Sequence, residues 1–215
     1  MLDWSFDNEH IAGVFEYHVR GQLPWYDLVT DAVGHLSRHY IRTGGRVYDI
    51  GASTGNIGRK LERTLTNRHC EFVAIECSEE MAKKYDGPQR LVIGDATKYP
   101  YGNFDLAVCF LTLMFVDIKK RKSFVSKLFR QCNPGGAIIV VDKEVGVGGY
   151  MQTALSRLTM AMKKPDYLST TDKELSLAGI QRPIERNVLP DHAVEFFRFG
   201  EFAGYVIEKP ECYGS

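Results

Sequence analysis

The sequence predicts a doubly wound α/β fold on a mostly parallel sheet. Short, continuously apolar, β-branched runs recur between residues 46 and 142, and helical patterns separate them. Residues 47–58 read VYDIGASTGNIG, a strand running directly into a glycine-rich turn. Strands buried on both faces lose the polar alternation of half-exposed ones, and repeated β-α-β units impose right-handed crossovers covering both faces.

The first 45 residues read as helix. In YDLVTDAVGHLSRHYI, Leu28, Val29, Ala32, Val33, Leu36, Tyr40 and Ile41 recur at helical spacing, Pro24 suits a first turn, and TGG at 43–45 stops the run. Five strands follow: RVYDI (46–50), EFVAIE (71–76), RLVIG (90–94), FDLAVCF (104–110) and AIIVVD (137–142). Ile57, Leu61 and Leu65 stripe the helix after Thr54, and Phe124, Val125, Leu128 and Phe129 stripe the one before NPGG. After Asp142 the alternation ends. Residues 148–204 read mostly as helix, in three pieces broken around Pro165 and around QRPIERNVLP, and a last strand falls near Tyr205–Lys209. The expected organisation is a single domain over 1–215. It comprises an N-terminal helical cap (1–45), a βαβ core (46–142), a helical lid or substrate segment (143–204) and a final strand (205–215).

The chain of 215 residues carries 27 basic and 27 acidic side chains, so no global field draws it to nucleic acid or to a membrane. Cys70, Cys77, Cys109, Cys132 and Cys212 are odd in number and form neither a C-x-x-C pair nor a ligand-like cluster, which suits a reducing compartment. The opening MLDWSFDNEH has no basic start or apolar run, and the longest apolar stretch, LAVCFLTLMFV (106–116), is too short to span a bilayer. The expectation is a soluble, cytoplasmic protein.

GASTG admits two readings. As G-x-S-x-G it would make Ser53 a nucleophile, with His192 downstream in the required order. A nucleophile elbow, however, follows several strands and takes an oxyanion loop from an earlier one, whereas this turn follows the first strand. As a ligand loop it uses more residues. In open parallel sheets ligands bind beyond the carboxyl ends of the strands, where YDIG places Asp49 and Gly51. Gly51, Ala52, Ser53 and Gly55 are small where backbone must approach a ligand, and Gly58 permits close helix packing. The spacing G-x-x-x-G-x-x-G differs from the pyrophosphate-binding G-x-G-x-x-G, and an acid beside a looser turn suits an ammonium and a sulfonium. Glu76 ends the second strand and can accept from both hydroxyls of a ribose. Asp95 and Ala96 end the third, where a carboxylate and an amide can face an adenine. Any one such acid is commonly a helix cap. Three on successive strands after a glycine loop outline S-adenosylmethionine.

These segments resemble the class I S-adenosylmethionine-dependent methyltransferases, with their Rossmann-like fold, and in particular the carboxy-S-adenosylmethionine synthase family. FDNEHIAGVF with LPWYDLV, VYDIGASTG, FLTLMFV and NPGGAIIVVDKE are similar to that family's segments across nearly the whole chain. The resemblance implies that Asp49, Gly51, Ser53, Glu76, Asp95 and Ala96 line the cofactor site, with Ala52, Gly55 and Cys77 beside them and Tyr26 closing over it. It also implies an arginine that anchors the extra carboxylate of carboxy-S-adenosylmethionine. Arg182 is the matching position and Arg186 the second choice, since a guanidinium can hold a carboxylate bidentately. A homodimer is a further implication. Departures are Phe110 where the family has asparagine, Glu76 where it has aspartate, Cys77 where a polar residue is expected, and an end at Ser215, about where the family adds its last strands, so that the expected sheet is either short or finished by another chain.

The activity implied is transfer of a one-carbon group to an acceptor. Alternatives are a carboxy-S-adenosylmethionine synthase or user of that ligand, and a non-catalytic module that binds S-adenosylmethionine. No general base stands out, and Tyr26 and Tyr150 are candidates by location alone. CFLTLMF lacks the Asp/Asn-Pro-Pro-Tyr/Phe motif of aminomethylating DNA methyltransferases, and KKRK (119–122) reads as a solvated helix face. His35 and His39 lie one helical turn apart without a third ligand, so no metal is expected. EFFRFGEF (195–202) is read at helical spacing as core or dimer contact.

Overall fold

The computed structural model describes residues 6, 9–146, 148–164, 177 and 180–211. Pro165 and Cys212 lie outside the described residues. Two helices, α1 (Glu9–Gln22) and α2 (Tyr26–Tyr40), lead into β1 (Arg46–Ile50), α3 (Asn56–Asn67), β2 (Glu71–Glu76), the short α4 (Glu79–Lys83) and β3 (Arg90–Ile93). Then come β4 (Phe104–Phe110), α5 (Ile118–Gln131), β5 (Cys132–Lys143), α6 (Gly149–Ala161), β6 (Val194–Phe199) and β7 (Phe202–Glu208).

The seven strands form one sheet in the order β3-β2-β1-β4-β5-β7-β6. β1 to β5 are parallel, and β7 runs antiparallel between β5 and β6. β1 pairs with β2 on one side and β4 on the other, so successive crossovers diverge at its carboxyl end and leave a crevice there. Val47, Ala74, Leu106 and Ile139 join α2 and α3 in one core layer, while Tyr48, Ile75, Ala107 and Val140 face α5 in the other. Both faces are covered, which is why the strands read as unbroken apolar runs.

Four expectations are corrected here. The sheet does not lack its last strands, because β6 and β7 complete it from within this chain. EFFRFGEF is not helical but a β-hairpin, with Gly200 at φ +58 in the turn. β6 is an edge strand with mostly half-buried or exposed side chains, so its pattern has no clean period of two. The 143–204 segment is therefore helical only in part. NPGG lies inside β5 rather than ending α5, with a register shift where it joins β4.

The turn after β1 holds backbone that only small residues allow. Gly55 sits at φ +93, where an added Cβ would come within 2.6 Å of the Gly87 amide nitrogen. Gly55→Ala is expected to cost about 2 kcal/mol or more, from left-handed backbone plus a backbone clash. Urea unfolding checks this, and a loss below about 0.5 kcal/mol would show that the loop yields freely.

Candidate functional site

Above the carboxyl ends of β2, β1, β4 and β5 lies a cavity of about 400 Å³, within the range of small-molecule sites. Its floor is the glycine turn, its roof α1 and α6, and its walls the β4 loop and the start of β7. Of the residues singled out from sequence, Tyr26, Asp49, Gly51, Ala52, Ser53, Glu76, Cys77 and Phe110 line it.

Glu76 is buried at the end of β2, and each carboxylate oxygen already accepts one backbone amide. Oε2 takes the Ser53 N–H at 2.7 Å and Oε1 the Ser78 N–H at 2.9 Å. The acid thus fixes the glycine turn and keeps spare lone pairs for a ligand. Asp49 is buried, with Oδ2 lacking any partner while the Gly58 amide donates to the carboxylate. Burial, and then the Glu76 charge, push Asp49 up to about 7. The Ser53 hydroxyl is likewise buried without a partner, on a residue at φ 51. Orphaned acceptors in a cavity suit a ligand that brings donors and positive charge.

Tyr26 is buried, its ring edge-on to Phe110 at 5.4 Å between centroids, and its hydroxyl accepts from Asn56 Nδ2 at 3.2 Å. Burial pushes its phenol well above the ordinary range, so it is no base at neutral pH. Gly51, at φ +73, is required by protein as much as by ligand. A Cβ there would lie 2.6 Å from the Thr112 hydroxyl, which donates to the Ile50 carbonyl at 2.7 Å.

Other expected residues stand elsewhere. Gly55 lies behind the turn against Gly87, outside the cavity lining. Asp95 and Ala96 do not line it either. Asp95 is exposed, and its Oδ1 takes the Thr97 amide and hydroxyl at 2.9 and 2.7 Å, making it a turn cap. Arg182 is exposed, tied by its amide to the Met114 carbonyl, and its neighbour Gln181 lines the cavity instead. Arg186 stacks over Tyr205 at 4.9 Å and donates to the Ala193 carbonyl, so neither arginine reaches the cavity. Tyr150 is 81% exposed and takes no part in the cavity. His192 packs on Phe129 of α5 and does not line the cavity that holds Ser53. His35 and His39 are exposed, and His35 pairs with Arg38.

Sequence reading missed the roof and the far wall. His18 and Gln22 are buried polar residues on the cavity face of α1, one helical turn apart. That polar pair among Phe15 and Val19 was the available signal. Glu16, half-buried on the same helix, accepts from the Thr54 hydroxyl at 2.9 Å and from Arg59, clasping α1 to the glycine turn. Lys143 ends β5 and Glu201 stands in the β6–β7 turn, both lining the cavity. They become neighbours only through the sheet.

Residues 48–140 match a family model described as a methyltransferase domain. The carboxy-S-adenosyl-L-methionine synthase of Shewanella piezotolerans is 24% identical over 207 residues, covering 92% of this chain and 85% of its own length. That of Shewanella pealeana is 27% identical over 202 residues, covering 90% and 81%. Among solved structures, human N-acetylserotonin methyltransferase in complex with S-adenosylmethionine superposes with a TM-score of 0.54 at 14% identity, over 95% of this chain and 57% of that one. An S-adenosylmethionine-dependent methyltransferase from Clostridium acetobutylicum gives 0.52 at 13%, over 90% and 97%. This chain has the fold of these enzymes and resembles, in sequence, the synthase family whose segments it echoes.

Proposed function

We propose that this chain, built on a methyltransferase fold and carrying a methyltransferase domain, binds S-adenosylmethionine at the glycine turn and transfers its one-carbon group to a small acceptor. The observation that carries this reading is the acid pair at the crevice, Glu76 bonded to the Ser53 amide and Asp49 left with a buried, unpartnered oxygen. Glu76 would hold the ribose hydroxyls, and Asp49 with the turn's backbone would face the amino-acid end. Cys77, Met81 and Phe6 would wall the adenine side.

The ligand supplies a methyl group on a sulfonium, already activated for departure. What the chain must add is position and dryness. Phe110, Met114 and Tyr26, which line the cavity, would keep water from its middle. The α1–α2 cap, the sheet and α6 act as one unit in this reading, because all of them line one cavity.

A carboxylated form of the ligand is the second reading, favoured by the name of the curated relatives. Against it, Arg182 and Arg186 both lie away from the cavity. Mass spectrometry of small molecules released from denatured protein separates the two by the mass of the carboxyl group.

Calorimetry tests the main reading. S-adenosylhomocysteine should bind, and Glu76→Ala should weaken it by about 2 kcal/mol or more, because two amides lose their acceptor together with the ribose contact. Absence of heat with S-adenosylmethionine, its carboxylated form and S-adenosylhomocysteine would end the proposal.

A further inference from the structure

Ordered along the sheet edge, the cavity runs from Glu76 on β2, past the turn after β1 and Phe110 on β4, to Lys143 on β5. Lys143 stands two strands beyond β1, roughly 10 Å across at the ordinary strand spacing. The two halves carry opposite demands. Asp49 and Glu76 make the first half acidic, as a cationic ligand needs. In the second half the charged pair is Lys143 with Glu201, its Nζ 3.5 Å from Oε2, with side chains only 18% and 15% exposed.

That distance is an ion pair without a close hydrogen bond. Glu201 is otherwise occupied, since its Oε1 accepts from Gln152 and from the Ser156 hydroxyl on α6 at 3.1 Å. One oxygen of the carboxylate thus takes two donors that pin it and the other faces the ammonium, which with three donors keeps hydrogens to spend. The polar function this wall offers the cavity is therefore a donor bearing positive charge. Around it the lining is mostly apolar, with Phe110, Met114, Phe115 and Phe202, but includes Thr159, Gln181 and a second lysine, Lys163.

Resting on the functional reading above, we infer that Lys143 forms the acceptor subsite, selecting a small apolar-bodied molecule that presents a phenol-type oxygen. A phenolate gains the ammonium's charge and still has a lone pair for attack, whereas a protonated amine is repelled. In the step, the hydroxyl first loses its proton to solvent, favoured by Lys143. The oxygen lone pair then forms the O–CH₃ bond as the S–CH₃ bond breaks, and its electrons stay on sulfur to leave a neutral thioether. Glu201 is a positioning residue that holds Lys143 toward the cavity.

The probe is 4-nitrophenol, whose phenolate is yellow, added to protein saturated with S-adenosylhomocysteine. Binding is expected to lower the bound phenol's pKa by about one unit, a tenfold change in the ratio of phenolate to phenol, read by absorbance without turnover. Lys143→Met should abolish that shift, Lys143→Arg should retain it, and Glu201→Gln should enlarge it by removing the counter-charge. 4-Nitrobenzylamine should not displace the phenol. If Lys143→Met does not fold, the enlarged shift in Glu201→Gln decides. An unshifted phenol, a shift equal in Lys143→Met, an unchanged shift in Glu201→Gln or displacement by the amine would overturn the inference. S-adenosylhomocysteine binding is measured first in each variant. Its absence from the wild-type protein removes the functional reading and this subsite together, whereas binding without the phenol shift removes the subsite alone.

Discussion

Asp49→Asn is expected to weaken S-adenosylhomocysteine binding by roughly tenfold to a hundredfold and to flatten its pH dependence. Asp49, next to the last residue of β1, is wholly buried with one oxygen unpartnered, and burial together with Glu76 pushes it up to about 7. A ligand ammonium beside it stabilises the carboxylate over the acid. Below about pH 7 the ligand-free protein holds a proton there that binding must release, so affinity should rise from about pH 6 and level off by about pH 8. Asparagine cannot ionise, and the slope should vanish with it. Calorimetry across that range measures both effects, and a wild-type affinity independent of pH would separate Asp49 from the ligand.

The same pKa gives stability the opposite slope. Asp49 and Asp142 are both pushed up to about 7, Asp142 by burial despite the amides of Lys143, Leu113, Met114 and Thr112. An acid whose folded pKa exceeds its unfolded value binds more protons in the native state. Stability of the ligand-free protein should therefore fall as pH rises from about 4 to about 7, measurable as the urea midpoint.

Arg121→Met should destabilise the fold by about 3–5 kcal/mol, lowering the melting temperature by about 10 °C. Arg121 is 1% exposed, although it sits in the basic run 119–122 whose three lysines are exposed. Its guanidinium donates to three carbonyls: Val116 at 2.9 Å, Pro183 at 2.9 Å and Met114 at 3.0 Å. Burial lowers its pKa, with the Asp142 charge opposing. The fork joins the β4 loop, which carries Met114, to the segment carrying Gln181, and both residues line the cavity, so ligand affinity should fall too. Methionine preserves volume but leaves the carbonyls unpaired, and lysine lacks the planar fork, so Arg121→Lys should recover only part. A melting temperature within about 2 °C of wild type would show that the carbonyls find other donors.

Arg121 also marks where sequence reasoning stopped. Its charge and neighbours describe a solvated helix face, and only the tertiary fold buries it. Asp49, Glu76 and the glycine turn were legible because a strand's carboxyl end and the loop after it are local features, and local features fix which edge of a parallel sheet they reach. Asp95 shares that placement, yet its carboxylate is occupied by Thr97. Position could not separate a capping acid from one facing the cavity. Arg182 lies outside the cavity lining, which its neighbour Gln181 joins, a difference of one position that sequence spacing does not resolve. Lys143 and Glu201 meet only because β7 pairs antiparallel with β5, a pairing 58 residues of sequence apart could not announce. β6 was hidden by its edge position, where neither face is fully buried.

A crystal structure of the protein with S-adenosylhomocysteine bound tests the central claim most directly. The account predicts ribose hydroxyls on Glu76 and the amino-acid end at Asp49 and the turn between Gly51 and Ser53. A ligand seated elsewhere, or a crevice filled by the protein's own side chains in the complex, would contradict it.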